Sequence, residues 1–410
     1  MIRRLLPALL LAGSAATAMA AGAADAPPSG LRVDHVVLLM RHGVRPPTKN
    51  PSMPEGTADR AWPDWPVNPG WLTQHGARAI GEIGAWDGAR ARRLGLLPAK
   101  GCPASGTVRV VADSDQRTIA TAEAWIGAVA AGCGVASAHK PQDEPDPVFS
   151  SIEKGLGKID TDRANAEVNA AIGPGGMAAL DSQERPLLDR LDAILCGKTA
   201  QKGCGVGGEA SGLVPASATR RPKLSGALDR ASTVAQILLL EYGEGKDMAD
   251  VGWGRATAAD IAALSAFHAL EFRLLARPPH VAAANLAGIL PIVKDGLSGP
   301  ATLTLISGHD TQVANMGGLL DIHWQVPGIA QDDPSPGGAI VIERLVDKNR
   351  QYYVRALYRS QTLEQIRSAA PLGANGPYRA VLPIPGCAAL GIRGLCTLDQ
   401  FEAKITRASP

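Results

Sequence analysis

The sequence VDHVVLLM (33–40) runs directly into RHGVRPPT (41–48). Eight mostly apolar residues are long enough for a buried strand and too short for a helix. The two prolines of the second segment then stop regular structure. Open α/β sheets bind ligands where their strands end, so the pattern predicts an α/β fold with a functional site at residues 41–48.

The remainder of the chain alternates between helix-type and strand-type patterns. The strand signal vanishes from about residue 140 to 255, where helical patterns are broken by Gly-, Pro- and Ser-rich stretches. We therefore predict a mixed sheet flanked by helices, with an inserted, mostly α-helical domain. The boundaries are 27–142 and 258–410 for the α/β catalytic domain and 143–257 for the insertion. The individual predictions are strands at 107–113, 301–307, 338–346 and 351–360, the last two as a hairpin, and helices at 73–94 with Thr73 as N-cap, 114–131, 261–277 and 283–297.

The first twenty residues, MIRRLLPALLLAGSAATAMA, read as a targeting segment. Two arginines precede a short apolar core, and Ala18-Met19-Ala20 forms an A-x-A cleavage site. The apolar run is shorter than the roughly 20 residues that span a bilayer. The sequence predicts a signal peptide at 1–20, no membrane span after its removal, and export to a bacterial periplasm, with secretion as the alternative.

Charge and composition exclude some classes of protein. Without Arg3 and Arg4 the chain has 39 basic and 39 acidic residues, so it lacks the positive surface of a nucleic-acid partner. A hydrophobic fraction of 45% is enough for a sizeable core. We expect a folded monomer that acts on a small molecule.

Six cysteines are consistent with export, because disulfides persist in oxidising compartments. No C-x-x-C occurs, which disfavours a zinc ribbon or redox motif. Fifteen connectivities are open; near-neighbour pairing favours 102–133, 196–204 and 387–396, and free buried thiols are the alternative.

The first polar segment places Arg41 and Arg45 on either side of His42. Arginine forks match phosphate oxygens, and Gly43 permits close backbone approach or a positive φ. Like charge disfavours an imidazolium here, so the pKa of His42 should fall and the neutral ring should remain nucleophilic at mildly acid pH.

The second polar segment, SGHDT (307–311), follows another predicted strand and opens a helical pattern. His309 can donate to an anion near that helix N-terminus, and Asp310 is the natural general acid. Either segment alone is compatible with a structural role. At the ends of two strands of one sheet, they together indicate phosphoryl transfer through a phosphohistidine.

These two segments resemble the signature motifs of the histidine acid phosphatases, of the phosphoglycerate-mutase-like superfamily. The resemblance is to the branch of bacterial periplasmic phytases and glucose-1-phosphatases and runs from about residue 31 to 400. It includes AWPDWPVNPGWLTQHG (61–76), VVADSDQRTIATAEA (110–124), VGWGRAT (251–257), SGHDTQVANMGGLLDIHWQVPG (307–328) and PGGAIVIERL (336–345). The family fold, an α/β domain plus an α-domain, agrees with the patterns above.

The resemblance also implies roles for individual residues. His42 would be the nucleophile and Asp310 the proton donor. The phosphate would be held by Arg41, Arg45, Thr48, Arg117 and His309. Lys49, Asp113 and Thr311 match positions that line the substrate pocket of the phytases. The family needs no metal or other cofactor, and no metal-ligand spacing such as H-E-x-x-H is present.

Three features depart from the phytase pattern. Gln312 stands where phytases usually carry Asn, Gln236 stands at a usually acidic position, and residues 281–288 lack the basic residues that phytases place there. His35 is interpreted as a core or second-layer histidine. His75, His139, His268, His280 and His323 are interpreted as structural.

The functional hypothesis is therefore an exported acid phosphatase that hydrolyses phosphomonoesters, with phytate as the leading substrate. A sugar phosphatase of the glucose-1-phosphatase type is the alternative. An alternative from another class is a non-catalytic periplasmic phosphate-ester-binding protein. The presence of both His42 and Asp310 favours an enzyme.

Overall fold

The computed structural model describes residues 26–197 and 203–407. The proposed signal peptide at 1–20 lies outside the described residues. The strands are β1 (Arg32–Arg41), β2 (Val108–Ala112), β3 (Ser137–Ala138), β4 (Gly212–Val214), β5 (Lys223–Ser225), β6 (Leu303–Gly308), β7 (Ala339–Val346), β8 (Tyr352–Ser360), β9 (Tyr378–Leu382) and β10 (Cys396–Thr397). The helices are α1 (Gln74–Arg93), α2 (Gln116–Val129), α3 (Thr161–Ile172), α4 (Gly176–Cys196), α5 (Ala227–Gly243), α6 (Ala258–Leu275), α7 (Pro279–Asn285), α8 (Ile289–Ser298), α9 (Asp310–Leu320), α10 (Leu363–Ser368) and α11 (Leu398–Arg407).

A mixed sheet with strand order β10-β8-β7-β1-β6-β2-β3 forms the centre of the fold, and β9 pairs with β8. Strands β1, β6, β2 and β3 are parallel, whereas β7 and β8 run antiparallel to their neighbours. Arg41 of β1 is in register with Gly308 of β6, and Ser307 of β6 with Ala112 of β2. The segments that follow these three strands therefore emerge at one edge of the sheet.

Alternate side chains of β1 enter two different hydrophobic cores. Leu38 and Met40 belong to the cluster that includes Ile80 of α1 and Trp125 of α2. Val37 and Leu39 belong to the larger cluster that contains residues of α5, α6 and α8. Helices thus cover both faces of the strand, which explains why its sequence is almost continuously apolar. The predicted mixed sheet flanked by helices is confirmed.

Most of the predicted elements are confirmed, with bounds that shift by a few residues. Thr73 caps α1 as expected, because its hydroxyl accepts a hydrogen bond from the Gly76 amide at 2.8 Å. The hairpin of β7 and β8 is antiparallel across residues 347–350. The three-residue strands β4 and β5 were missed, since they are too short to show a period of two.

The helix predicted at 283–297 is instead broken into α7 and α8. A Cβ on Gly288 would lie 2.5 Å from Cα of Val148, so only glycine admits this close backbone approach. No single helix within the described residues is long and apolar enough to cross a bilayer; α7 and α8 meet that test only as a pair bent by 77°.

Between β3 and β6 the described chain forms helices α3 to α8 together with the β4–β5 hairpin. Leu238 of α5 belongs to the same hydrophobic cluster as Leu39 of β1. The helical region therefore shares a core with the sheet. The proposed domain boundaries at 143 and 257 stay a prediction.

Three disulfides join Cys102 to Cys133, Cys196 to Cys204, and Cys387 to Cys396. These are the pairs favoured by the sequence, and all six cysteines are used. The bridges fit a protein that is exported to an oxidising compartment.

Helix α5 contains a buried carboxyl group in an apolar setting. Glu241 is 1% exposed, no side chain among the described residues donates a hydrogen bond to its carboxyl group, and the nearby Gly252 amide offsets the burial only in part. Burial raises the pKa of Glu241 to about 8. The folded state therefore keeps a proton that the unfolded chain releases near its ordinary value of 4.5.

We predict that Glu241 makes the fold less stable as the pH rises from about 4.5 to about 8, because the unfolded state binds fewer protons over that range. Glu241→Gln, which carries no proton to lose, should be more stable than the parent at about pH 7.5 by about 2–4 kcal/mol. The two proteins should converge near pH 4.5. Urea unfolding at both pH values measures this difference.

The matched control is Glu55→Gln, since Glu55 is exposed. Equal urea midpoints for the parent and Glu241→Gln at about pH 7.5 would contradict the prediction.

Candidate active site

The two polar segments singled out in the sequence meet at the carboxyl ends of the central strands. His42 directly follows β1 and His309 directly follows β6, and their ring centroids are 5.6 Å apart. Asp113 follows β2, and its Oδ2 lies 2.6 Å from Nε2 of His309. The sheet register therefore brings together the two strand ends that the sequence singles out, and the end of β2 joins them.

The His42 ring is held in one orientation. The side chain is 1% exposed, and its Nδ1 lies 2.8 Å from the carbonyl oxygen of Gly43. A carbonyl oxygen only accepts, so Nδ1 carries the ring proton and Nε2 keeps its lone pair. Burial, and then the charges of Arg45 and Arg117, hold the pKa of His42 well below its ordinary value. The predicted direction is confirmed, but burial outweighs the arginines as its cause.

Gly43 brings this segment against α1. A Cβ at this position would lie 2.9 Å from side-chain carbons of both Ile80 and Leu72. Its φ is not among the positive values in the chain. Of the two roles expected for this glycine, the structure shows close approach.

Three arginines surround the histidine with positive charge that is incompletely balanced. The side chains of Arg41, Arg45 and Arg117 each have a buried Nε atom without a hydrogen-bond partner among the described residues. Burial, followed by the charges of the other two arginines, lowers the pKa of Arg45 to about 9. An anion bound here would both satisfy these donors and relieve this repulsion.

Asp310 is the first residue of α9 and contacts the arginine cluster directly. Its Oδ2 lies 3.0 Å from Nη2 of Arg41. Burial alone would raise the pKa of Asp310, but the charge of Arg41, followed by that of His268, outweighs it and holds that pKa well below its usual range. The carboxyl is therefore ionised in the free protein.

His309 forms the N-cap of α9, and its ring lies between an acidic and a basic side chain. Its Nε2 contacts Asp113, and Nη2 of Arg117 lies 3.4 Å from its Nδ1. Burial alone would raise the pKa of Asp113, but the hydrogen bond and charge of His309 lower it.

The side chains of Asp113, Asp115 and His309 have the ligand types for a metal, with three candidate ligand atoms within 4.8 Å of one another. Arg117 already neutralises Asp115 at 2.5 Å. The expected absence of a metal or other cofactor stays a prediction.

A cleft of about 590 Å³ opens beside these groups. Arg41, Arg45 and Asp310 line it, together with Gln236, whose Oε1 accepts from Nη2 of Arg41 at 2.8 Å. Thr48 and Lys49 are exposed residues of its lining. Thr311 instead lines a neighbouring cavity of about 290 Å³.

Sequence reasoning missed two residues at this site. His268 of α6, which was interpreted as structural, has Nε2 3.8 Å from Oδ2 of Asp310. Its Nδ1 lies 2.6 Å from Oδ1 of Asp333. The available signal was the pair His268 and Glu271, three residues apart in an otherwise apolar helical pattern. No sequence signal pointed to Asp333.

Other sequence features prove to be structural. Gln312 is 3% exposed; its Oε1 accepts from the His309 amide and its Nε2 donates to the carbonyl of Phe149. Gln312 therefore acts in capping α9. His35 lies near the amino end of β1, remote from the site edge, and bonds to Gly299 and Arg344.

Comparisons with known proteins show which family the chain resembles. A family model described as histidine phosphatase superfamily (branch 2) matches residues 32–199. The chain is 33% identical to phytase AppA of Escherichia coli, with 92% of each chain covered. It is 28% identical to a glucose-1-phosphatase of Salmonella typhimurium, covering 94% of this chain and 95% of that protein.

A solved structure is similar to this chain in both fold and sequence. Hafnia alvei phytase in complex with myo-inositol hexakis sulphate aligns with a TM-score of 0.84 at 31% identity, covering 94% of this chain and 98% of that one.

We predict that inorganic phosphate raises the thermal unfolding midpoint, because a ligand that binds only the folded state stabilises it. Arg117→Ala should weaken phosphate binding by about 10- to 100-fold and shrink the shift, since it removes a charge-assisted donor. A thermal melt series at increasing phosphate measures both effects.

Arg109→Ala is the matched control, because Arg109 pairs with Asp295 and lines a different cavity. An unchanged phosphate-induced shift in Arg117→Ala would remove Arg117 from the proposed site.

Proposed function

The chain belongs to the histidine phosphatase superfamily, branch 2, and we propose that it hydrolyses small-molecule phosphomonoesters, with phytate as the leading substrate. The enzyme is a histidine acid phosphatase. The observation that carries this function is a neutral His42 that lies among three arginines. Among the described residues, the buried Nε–H groups of these arginines have no acceptor.

In the proposed mechanism, the phosphate oxygens bind Arg41, Arg45 and Arg117, with His309 and Thr48 as further donors. Cationic donors fixed in place stabilise the charge that the phosphoryl group carries in the transition state. Their backbone positions are set by strand ends and helix starts.

The first chemical step forms a bond between Nε2 of His42 and phosphorus while the ester P–O bond breaks. The departing oxygen takes a proton from Asp310. Water then attacks the phosphohistidine and gives a proton to Asp310, and inorganic phosphate leaves. Both steps are complete without a metal ion.

The support for phytate comes from relatives. Phytase AppA is the more identical of the two relatives above, and the Hafnia alvei phytase structure holds an inositol hexakis sulphate. The alternative, a sugar phosphatase, is favoured by the glucose-1-phosphatase relative and by residues 281–288. Residues 281–286 are buried and supply no basic group to the cleft.

The proposed location is the periplasm. The three disulfides and the signal-like sequence at 1–20 support export. The monomeric state stays a prediction.

We expect phosphate release from phytate and glucose 1-phosphate at about pH 5 in the presence of a chelator. His42→Ala should abolish this release, because no other group supplies the nucleophile, while it leaves phosphate-induced stabilisation in place. His139→Ala, at an exposed histidine, is the matched control. Substantial release by His42→Ala would overturn the nucleophile assignment.

The relative rates on phytate and glucose 1-phosphate then decide the substrate. Faster release from phytate supports the leading candidate, whereas release from glucose 1-phosphate alone favours the sugar phosphatase. Phosphate binding without release from either ester would favour the binding protein.

Asp310→Asn should slow esters with poor leaving groups more than esters with good ones, since only the former need a proton donor. We expect a loss of about 100-fold or more for glycerol 2-phosphate and a much smaller loss for p-nitrophenyl phosphate. Steady-state kcat on the two esters measures this ratio. Equal losses on both would argue against the donor role.

A further inference from the structure

A buried carboxylate behind the proposed acid has a single hydrogen-bonding side-chain partner among the described residues. Asp333, in the loop between α9 and β7, is 1% exposed. Its Oδ1 contacts Nδ1 of His268 at 2.6 Å, and its Oδ2 has no hydrogen-bond partner among the described residues. A buried carboxylate is costly unless a donor or a cation offsets it. The imidazolium form of His268 supplies both.

The other ring nitrogen of His268 faces the acid. Its Nε2 lies 3.8 Å from Oδ2 of Asp310, the same oxygen that contacts Arg41 at 3.0 Å. Arg41 in turn donates through Nη1 to the carbonyl of Pro334, the residue next to Asp333. The loop that contains Asp333 and Pro334 therefore contacts both His268 and Arg41. These are the two groups that face the Asp310 carboxyl.

The surroundings of His268 contain charges of both signs. Asp333 and Asp310 contact it from the loop and from α9, and Arg41 of β1 shares Asp310 with it. Glu271 lies one turn away on α6 and accepts a hydrogen bond from Ser232. The ring also packs edge-on against Phe272, with centroids 4.3 Å apart.

The proposed reaction needs a source for the proton that Asp310 donates, and His268 with Asp333 is placed to provide it. Asp310 is ionised in the free protein, yet it must deliver a proton to the departing oxygen. Histidine is the side chain that ordinarily gains and loses a proton between pH 5 and 8. A histidine facing the acid, with a carboxylate behind it, is placed to hold that proton.

We propose that His268 and Asp333 form a proton-supplying pair for Asp310, an inference that rests on the proposed phosphatase function. The imidazolium gives its Nε2 proton to Oδ2 of Asp310. Asp310 passes a proton to the ester oxygen as the P–O bond breaks and the bond from His42 to phosphorus forms. In the second step the attacking water gives a proton to Asp310, and that proton returns to His268.

Over one turnover the pair therefore gains and loses one proton, and no further reactant is needed. His268 and Asp333 are positioning residues, because they act through Asp310 and not on the transferred group.

The test is Asp333→Asn, which keeps an oxygen acceptor for Nδ1 of His268 and removes the charge. We expect kcat on glycerol 2-phosphate to fall by about tenfold or more and kcat on p-nitrophenyl phosphate by less than about threefold. The alkaline limb of the kcat profile for glycerol 2-phosphate should move to lower pH by about one unit, because the imidazolium loses its counter-charge.

The chain offers a matched control in the adjacent residue. Asp332 contacts Nδ1 of His323 at the same 2.6 Å, but the His323 side chain is 52% exposed. Asp332→Asn should leave the ester ratio and the pH profile unchanged. His268→Gln is the second variant and should reproduce the selective loss on glycerol 2-phosphate.

The outcomes separate this inference from the function on which it rests. Equal losses on both esters, or an unmoved pH profile in Asp333→Asn, overturn the proton-supplying pair while the parent enzyme remains active. If Asp333→Asn does not fold, equal losses in His268→Gln overturn it. If the parent hydrolyses neither ester, the proposed function itself is wrong.

Discussion

The confinement of positive charge around one neutral imidazole is the constraint on which the rest of this site depends. Arg41, Arg45 and Arg117 are brought together by the ends of β1 and the start of α2. Their mutual repulsion opposes folding, and a bound anion offsets it. The same charges and the burial of His42 keep its ring unprotonated at acid pH. Affinity for phosphate and nucleophilicity thus have one physical origin.

The same positive charges oppose the proposed role of Asp310 as a proton donor. A carboxyl among cations is stabilised as an anion, and Asp310 cannot donate a proton while that field is unopposed. A bound phosphate brings negative charge and turns the arginines towards itself, which weakens the hold on the anionic form. The remaining question is where the proton on Asp310 comes from. In our proposal His268, with Asp333 as its counter-charge, supplies it. In the proposed mechanism, substrate binding and proton supply are therefore linked through Arg41, which contacts Asp310 and is proposed to bind the phosphate.

The sequence alone predicts the elements that have a strong local signal. The run before Arg41 has the apolar pattern of a strand covered on both faces. The sequence places the two polar segments at the ends of two strands of one sheet, and the structure adds that β1 and β6 are parallel neighbours. The cysteine pairs follow from their proximity along the chain. The features that the sequence does not predict depend on contacts between residues that are distant along the chain. His268 and Asp333 are 65 residues apart and are joined only when α6 packs beneath the loop before β7. The close approach of Gly288, the N-cap of α8, to the backbone of Val148 is likewise absent from any local pattern.

The hydrogen bond from Nδ1 of His42 to its neighbouring carbonyl fixes the regiochemistry of the intermediate. Phosphorus can be attached only to the nitrogen remote from the main chain, so one phosphohistidine isomer is formed. Because Nδ1 keeps its proton, the phosphorylated ring is a cation, and the carbonyl of Gly43 remains its partner. A cationic ring departs from phosphorus more easily than a neutral one, since it leaves as neutral imidazole. One backbone oxygen thus favours both the formation and the hydrolysis of the intermediate.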